Sequence, residues 1–148
     1  IGDLAGPMAF AILMGSSRAF YGKFGDKINL ERFMQYSAIL CMISYLMIAF
    51  IPVPALGILG CAVCGLSVGI MWPGTFSMAA ASVKRGGTAL FALLALAGDV
   101  GCSSGPTYVG MLSGVLNDNL KLGIFAALIF PALMIMGIKM IGRFRKYN

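Results

Sequence analysis

Residues 33–50 read "FMQYSAILCMISYLMIAF", eighteen consecutive positions without a charge, a glycine or a proline. At a rise of 1.5 Å per residue such a run makes a helix about 27 Å long, close to the roughly 30 Å hydrocarbon core of a bilayer. Its apolar residues are contiguous rather than alternating, which favours a helix over a barrel strand. Outward from this run the same habit recurs, giving five predicted spans: 2–21, 33–51, 55–80, 88–113 and 120–141. The short links between them, "GKFGDKINLER", "PVP", "SVKRGG" and "GVLNDN", force antiparallel neighbours.

Composition agrees with a lipid medium. Hydrophobic residues make up 59% of the chain and charged residues 11%, against roughly 25% charged in a water-soluble domain. The expected fold class is therefore all-α, a polytopic transmembrane bundle forming a single membrane domain over residues 1–148. The chain opens at Ile1 and is apolar by Leu4, so the first span is expected to be truncated and the chain to be a piece of a longer protein. A net charge of +6 does not point to nucleic acid, because the cations sit at the ends of apolar runs and no soluble face gathers them.

Those cations also predict an orientation. Arg18, Lys23, Lys27 and Arg32 flank the first connection, Lys84 and Arg85 fill the third, and Lys139, Arg143, Arg145 and Lys146 close the chain. Only Lys121 adjoins the opposite ends, so ten of eleven cations fall on one side. The positive-inside rule makes that side cytoplasmic. The expectation is a multi-pass protein of the cell (plasma) membrane with basic loops and C terminus in the cytoplasm.

The third span places Gly57, Cys61, Gly65 and Gly69 four residues apart, and the fourth places Ala97, Gly101 and Gly105 likewise. Small residues let a neighbouring backbone approach closely. The first, third and fourth spans are thus expected inside the bundle. The Gly-free second and the bulky fifth are expected at the periphery. Pro73 removes the helical bond to the Gly69 carbonyl and Pro106 the bond to the Cys102 carbonyl, so both interior spans should be interrupted, either as static kinks or as bends that a moving helix uses. Cys41, Cys61, Cys64 and Cys102 lie in apolar runs, and the chain has no His. They read as reduced packing thiols, with no metal site and no cofactor.

Asp99 stands near the middle of its span in "LALAGDVGCSSGP" (94–106), with no basic residue within a dozen positions. An ionised Asp at a helix centre costs about 2.5–3.5 kcal/mol on insertion scales. That cost calls for a wet cavity, a cationic partner or a neutral, proton-bearing form. At helical spacing Asp99 shares a face with Cys102, Ser103, Pro106 and Gly110, while Tyr108 points away. Two readings stay open: a coupling or substrate-anchoring acid, and a structural acid paired with a residue outside this chain. Asp3, Pro7, Phe10, Met14 and Ser17 form one face of the first span, suited to cavity lining or to plain packing. Trp72 and Phe76 serve equally as stacking surfaces for a solute or as large core side chains.

The stretch "GSSRAFYGKFGDKI" (15–28), closing a span before a basic turn, resembles the loop signature of the major facilitator superfamily. Lys23, Gly25 and Lys27 match it; Asp26 stands where a basic residue is usual, and Arg18 and Gly22 replace its leading Gly and Asp. The resemblance implies that the chain corresponds to helices eight to twelve of a twelve-helix transporter. In that fold the eighth, tenth and eleventh helices line a central cavity, the ninth and twelfth face lipid, and two halves rock about a midplane site. It further implies that Arg18, Lys23, Gly25, Asp26 and Lys27 form a gating loop, with Arg18 meeting Asp26 or a neighbouring helix end in one state. A snorkelling Arg18 is the plain alternative.

The function expected is secondary active transport of a small solute by alternating access, with proton coupling an option. The partners are the solute, the bilayer and the N-terminal half of the same protein. The alternative is a non-transport membrane subunit, whether redox or structural. No catalytic constellation is present, so no enzyme is expected; substrate and direction stay open.

Overall fold

A computed structural model describes residues 2–83, 86–116 and 119–147, without the side chains of residues 2–3, 26 and 144–147. Every regular element among them is helical: α1 (Gly2–Phe24), a single 3-10 turn (Gly25–Lys27), α2 (Leu30–Phe50), α3 (Pro54–Val68), α4 (Met71–Ser82), α5 (Gly87–Val115), α6 (Leu120–Ala126) and α7 (Ile129–Tyr147). The helical stretches coincide with the five predicted spans within three residues, except at the last end, which runs six residues further. Leu30–Phe50, Pro54–Ser82, Gly87–Val115 and Leu120–Arg143 are long and apolar enough to cross a membrane. The chain is thus an all-helical protein whose apolar helices suit multiple membrane passes. α1 has the length but also carries Arg18, Ser16, Ser17 and several glycines, and it falls outside that group of four.

Local chemistry sets the helix boundaries. The Asn29 side chain accepts a bond from Arg32 N at 3.3 Å, capping α2. Pro54 opens α3 at a position where its missing N–H costs nothing.

Side-chain contacts fix the antiparallel order. At one end, Tyr21 of α1 stacks on Phe33 of α2, and Met34, Met78 and Ile138 from α2, α4 and α7 form a buried apolar cluster. At the other, Phe50 of α2 meets Phe125 of α6 edge-on with centroids 5.5 Å apart, and Ile48 packs on Gly60. Lys23, Lys27, Arg32, Lys139 and Arg143 therefore share one end of the bundle, and Lys121 sits at the other. Of the other cations besides Arg18, Lys84 and Arg85 lie outside the described residues, as do the side chains of Arg145 and Lys146.

The tightest packing joins α1 to α3. Gly65 lies directly against the Phe10 backbone, and a Cβ at Gly69 would stand 2.8 Å from the Met14 carbonyl oxygen and 2.9 Å from Ser17 Cβ. The small-residue stripe of α3 thus brings the two backbones together, as its four-residue spacing predicted. Phe10 and Met14 of that α1 face pack here, and Ser17 both packs on Gly69 and borders a cavity between α1, α2 and α3; the Asp3 side chain lies outside the described residues.

Two expectations about burial are overturned. α2 is the central helix of this chain, packing on α3, α4, α6 and α7 and burying Met34, Ser37, Ala38, Cys41, Ser44 and Ala49. α5, expected inside, buries no residue at all. The physical reason lies in what counts as small. Ser37, Ala38, Cys41, Ser44 and Ala49 give α2 a small-residue stripe without glycine, and the buried Ser44 hydroxyl donates to the Leu40 and Cys41 carbonyls. On α5, a Cβ added at Gly101 or Gly105 would meet nothing within 4 Å.

The interruptions also differ from expectation. The third span breaks at Gly69–Ile70, as Pro73 predicted, whereas α5 runs through Pro106 unbroken. The second break falls instead at Ala127–Leu128, between α6 and α7 and four residues before Pro131. The freed Ala127 carbonyl accepts from Phe130 N at 3.1 Å in a tighter turn.

Candidate functional site

The break in the third span creates a polar point inside an apolar helix. Pro73 has no N–H to give the Gly69 carbonyl, and Arg18 takes its place, Nε donating to Gly69 O at 3.2 Å. Gly69 caps the C terminus of α3, so a guanidinium also faces the partial negative charge of a helix C terminus. The loop residues beyond Arg18 do not join it. Lys23 Nζ lies 5.7 Å from the Phe24 ring centroid, Gly25 packs under the Tyr21 ring, Lys27 is exposed, and the Asp26 side chain lies outside the described residues.

The clasp between Arg18 and Gly69 carries a prediction. Arg18→Gln should lower bundle stability by about 1 kcal/mol, the net worth of one hydrogen bond. In a Pro73→Ala background the same change should cost nothing, because residue 73 then supplies its own N–H to Gly69 O. Additive losses in thermal unfolding of the four proteins would show that the clasp does not depend on the broken helix.

One turn beyond the break, Trp72 and Phe76 face α5. Their ring centroids are 4.8 Å apart, and Phe76 stacks on Phe91 of α5 at 5.7 Å. The Trp72 indole rests on Gly98, where a Cβ would overlap its ring. Both aromatics therefore bridge helices, and Trp72 touches the residue immediately before Asp99.

Asp99 itself lies on an open trough along α5 of about 660 Å³, with Val100, Ser103, Ser104, Thr107, Tyr108 and Met111. Tyr108 belongs to this surface, contrary to the helical-wheel expectation. Asp99 and Tyr108 stand on opposite sides of the helix as its two rims, and the trough covers the flank between them. Tyr108 is held edge-on against Phe130 of α7, centroids 5.8 Å apart. Cys102, Pro106 and Gly110 do not line the trough. The hydroxyls of Ser103 and Thr107 donate to the Asp99 and Ser103 carbonyls at 2.9 and 2.7 Å. With those protons engaged, the two side chains present only lone pairs. Ser103 and Thr107 thus offer acceptors beside the carboxylate, Ser104 and Tyr108 add hydroxyls able to donate, and no basic side chain lines the trough.

On the other side of Trp72 is a cavity of about 360 Å³ that sequence reasoning missed. It collects Tyr45 of α2, Met71, Trp72 and Thr75 beside the first break, and Phe130 and Pro131 beside the second. Both proline-broken helices thus face one partly open groove. The signal was present in Pro131, which obeys the same rule as Pro73 but sits in a span expected at the periphery. Among the described residues no cluster of three metal-ligating side chains occurs, and all four cysteines are free thiols.

Comparison with known proteins adds no relative: no family model, curated protein or solved structure matches the chain.

Proposed function

We propose that this chain forms part of a secondary transporter, with the α5 trough facing a water-filled solute path that further transmembrane helices complete. The observation that carries the reading is Asp99, exposed in mid-helix on a face lined with hydroxyl acceptors. Left against acyl chains that face would bear the full insertion cost of a carboxylate; against water it does not. The broken third span supports the same reading, since interrupted helices recur where transporters hold their solutes. Trp72 couples the segment after that break to the turn carrying Asp99. In this assignment all five helical stretches span the plasma membrane and the basic end faces the cytoplasm, as the resemblance to the major facilitator superfamily implies, with α2 central where that resemblance places a lipid-facing helix. The solute class favoured by an acceptor-lined carboxylate site is one bearing hydrogen-bond donors or positive charge, with a proton as the simplest case.

A second reading rests on Gly101 and Gly105, whose open flank suits close approach of another helix. In that case the chain is a non-transport subunit and α5 a docking face. Thiol labelling separates the two. In a Cys102→Ser background, Ser103→Cys should react with a charged, membrane-impermeant maleimide in intact vesicles, whereas Ile39→Cys on the lipid-exposed flank of α2 should not. A Ser103→Cys protein that resists the charged reagent in every condition would overturn the transport reading.

A further inference from the structure

A cavity of about 530 Å³ opens between α1, α2 and α3 in the basic half of the bundle. Phe20, Phe33, Leu40 and Leu66 make most of its wall apolar, the buried Ser17 and Ser37 add two small hydroxyls, and Ser16 and Tyr36 stand at the rim. Phe20 is 51% and Tyr36 69% exposed, so the cavity is a slot open on its side. The Ser16 hydroxyl already donates to the Ile12 carbonyl at 2.8 Å and supplies no free hook. In a membrane-crossing bundle such a slot opens onto acyl chains.

Cations crown the same end. Lys23 lies one turn beyond Phe20 on α1, Arg32 one turn before Tyr36 on α2, and Lys27 in the 3-10 turn that joins them. Residues three or four apart share a helix face, so Lys23 and Arg32 stand on the faces that line the slot. The acids of this connection are Asp26 and Glu31 against the three cations Lys23, Lys27 and Arg32. The Glu31 carboxylate lies against Gly142 of α7, away from α1. Apolar walls beneath a positive rim match one amphiphile, an acyl chain bearing an anionic headgroup.

We propose that this slot binds an anionic phospholipid, one acyl chain lying between α1 and α2 and the phosphate held by Lys23, Lys27 and Arg32. The proposal rests on membrane crossing and not on transport. A cation near an anionic headgroup is worth about fivefold in affinity, so the site should favour anionic over zwitterionic lipid by well over tenfold.

The test uses the whole chain in bilayers of phosphatidylcholine with phosphatidylglycerol as the minor component. Lipid retained through mild detergent extraction is read by native mass spectrometry. Phosphatidylglycerol should be retained preferentially. Replacing both Lys23 and Arg32 by Gln should cut that preference about 25-fold, and Lys121→Gln at the opposite end should leave it unchanged. Ser16→Trp, which fills the slot while keeping every cation, should also abolish retention. Lys23, Arg32 and Ser16 are exposed, so these variants keep their helical spectrum. Equal retention of the two lipids would overturn the proposal. So would preference surviving in Ser16→Trp, which would show a diffuse surface attraction and no slot.

Discussion

Replacing Gly65 by valine is expected to drive α1 off α3 and unfold that side of the bundle. Its Cβ would fall on the carbonyl oxygen of Phe10 and stand 2.8 Å from both the Phe10 carbonyl carbon and Cα. A side chain in that position can rotate away, but backbone cannot, so the whole of α1 has to move. Since α1 packs mainly on α3, that movement exposes most of its buried surface, including Ser17. Overpacking typically costs about 1–3 kcal/mol, and a rigid backbone obstacle puts this case at the upper end. Unfolding in detergent titrated with dodecyl sulfate measures it. Gly57→Ala is the internal control, for a Cβ there meets nothing within 4 Å, and its shift should stay within about 0.5 kcal/mol. Equal midpoints for Gly65→Val and the wild type would mean that the two backbones do not touch.

Asp99→Asn should eliminate solute accumulation driven by an imposed pH gradient, bringing uptake to the level of empty vesicles, while solute still equilibrates down its own gradient. Asn keeps the size of the carboxylate and one of its two acceptor oxygens but can neither carry a proton nor attract a cation as the carboxylate does. Because Asp99 is exposed and no basic group lines its trough, the fold does not depend on its charge. Stability should change by less than about 0.5 kcal/mol. The two measurements together separate roles: lost accumulation with a normal fold identifies a coupling acid. Full accumulation by Asp99→Asn would reduce the residue to a structural part. Loss of folding would point to an ion pair made with a residue outside this chain.

The α2 and α5 results share one lesson about small residues. A Gly count ranked α2 as peripheral, yet serine, alanine and cysteine also permit close helix approach, and in α2 they do so along Ser37, Cys41 and Ser44. On α5 the glycines are present and uncovered. Spacing shows that a face is able to accept a neighbour; it does not say which neighbour arrives.

The medium and the helical periodicity were legible from residues alone, because a run such as 33–50 has no stable place in water and only one backbone solution in lipid. The break at Gly69 was legible from Pro73, but the same missing donor at Pro106 leaves α5 unbroken, so proline marks where a helix is able to break and not that it does. Charge placement also predicted that basic ends would gather, and the contacts of Tyr21 with Phe33 and of Met34 with Met78 and Ile138 bring together the ends that carry the described cations. Only the tertiary structure paired Arg18 with the Gly69 carbonyl, set Trp72 on Gly98, turned both broken helices toward one cavity, and left Asp99 on an open flank. Those features join residues 26 or more positions apart, or depend on the rotation of one helix about its axis. Neither distance in space nor rotation is encoded in a local pattern; both follow from which side chains interlock once the helices meet.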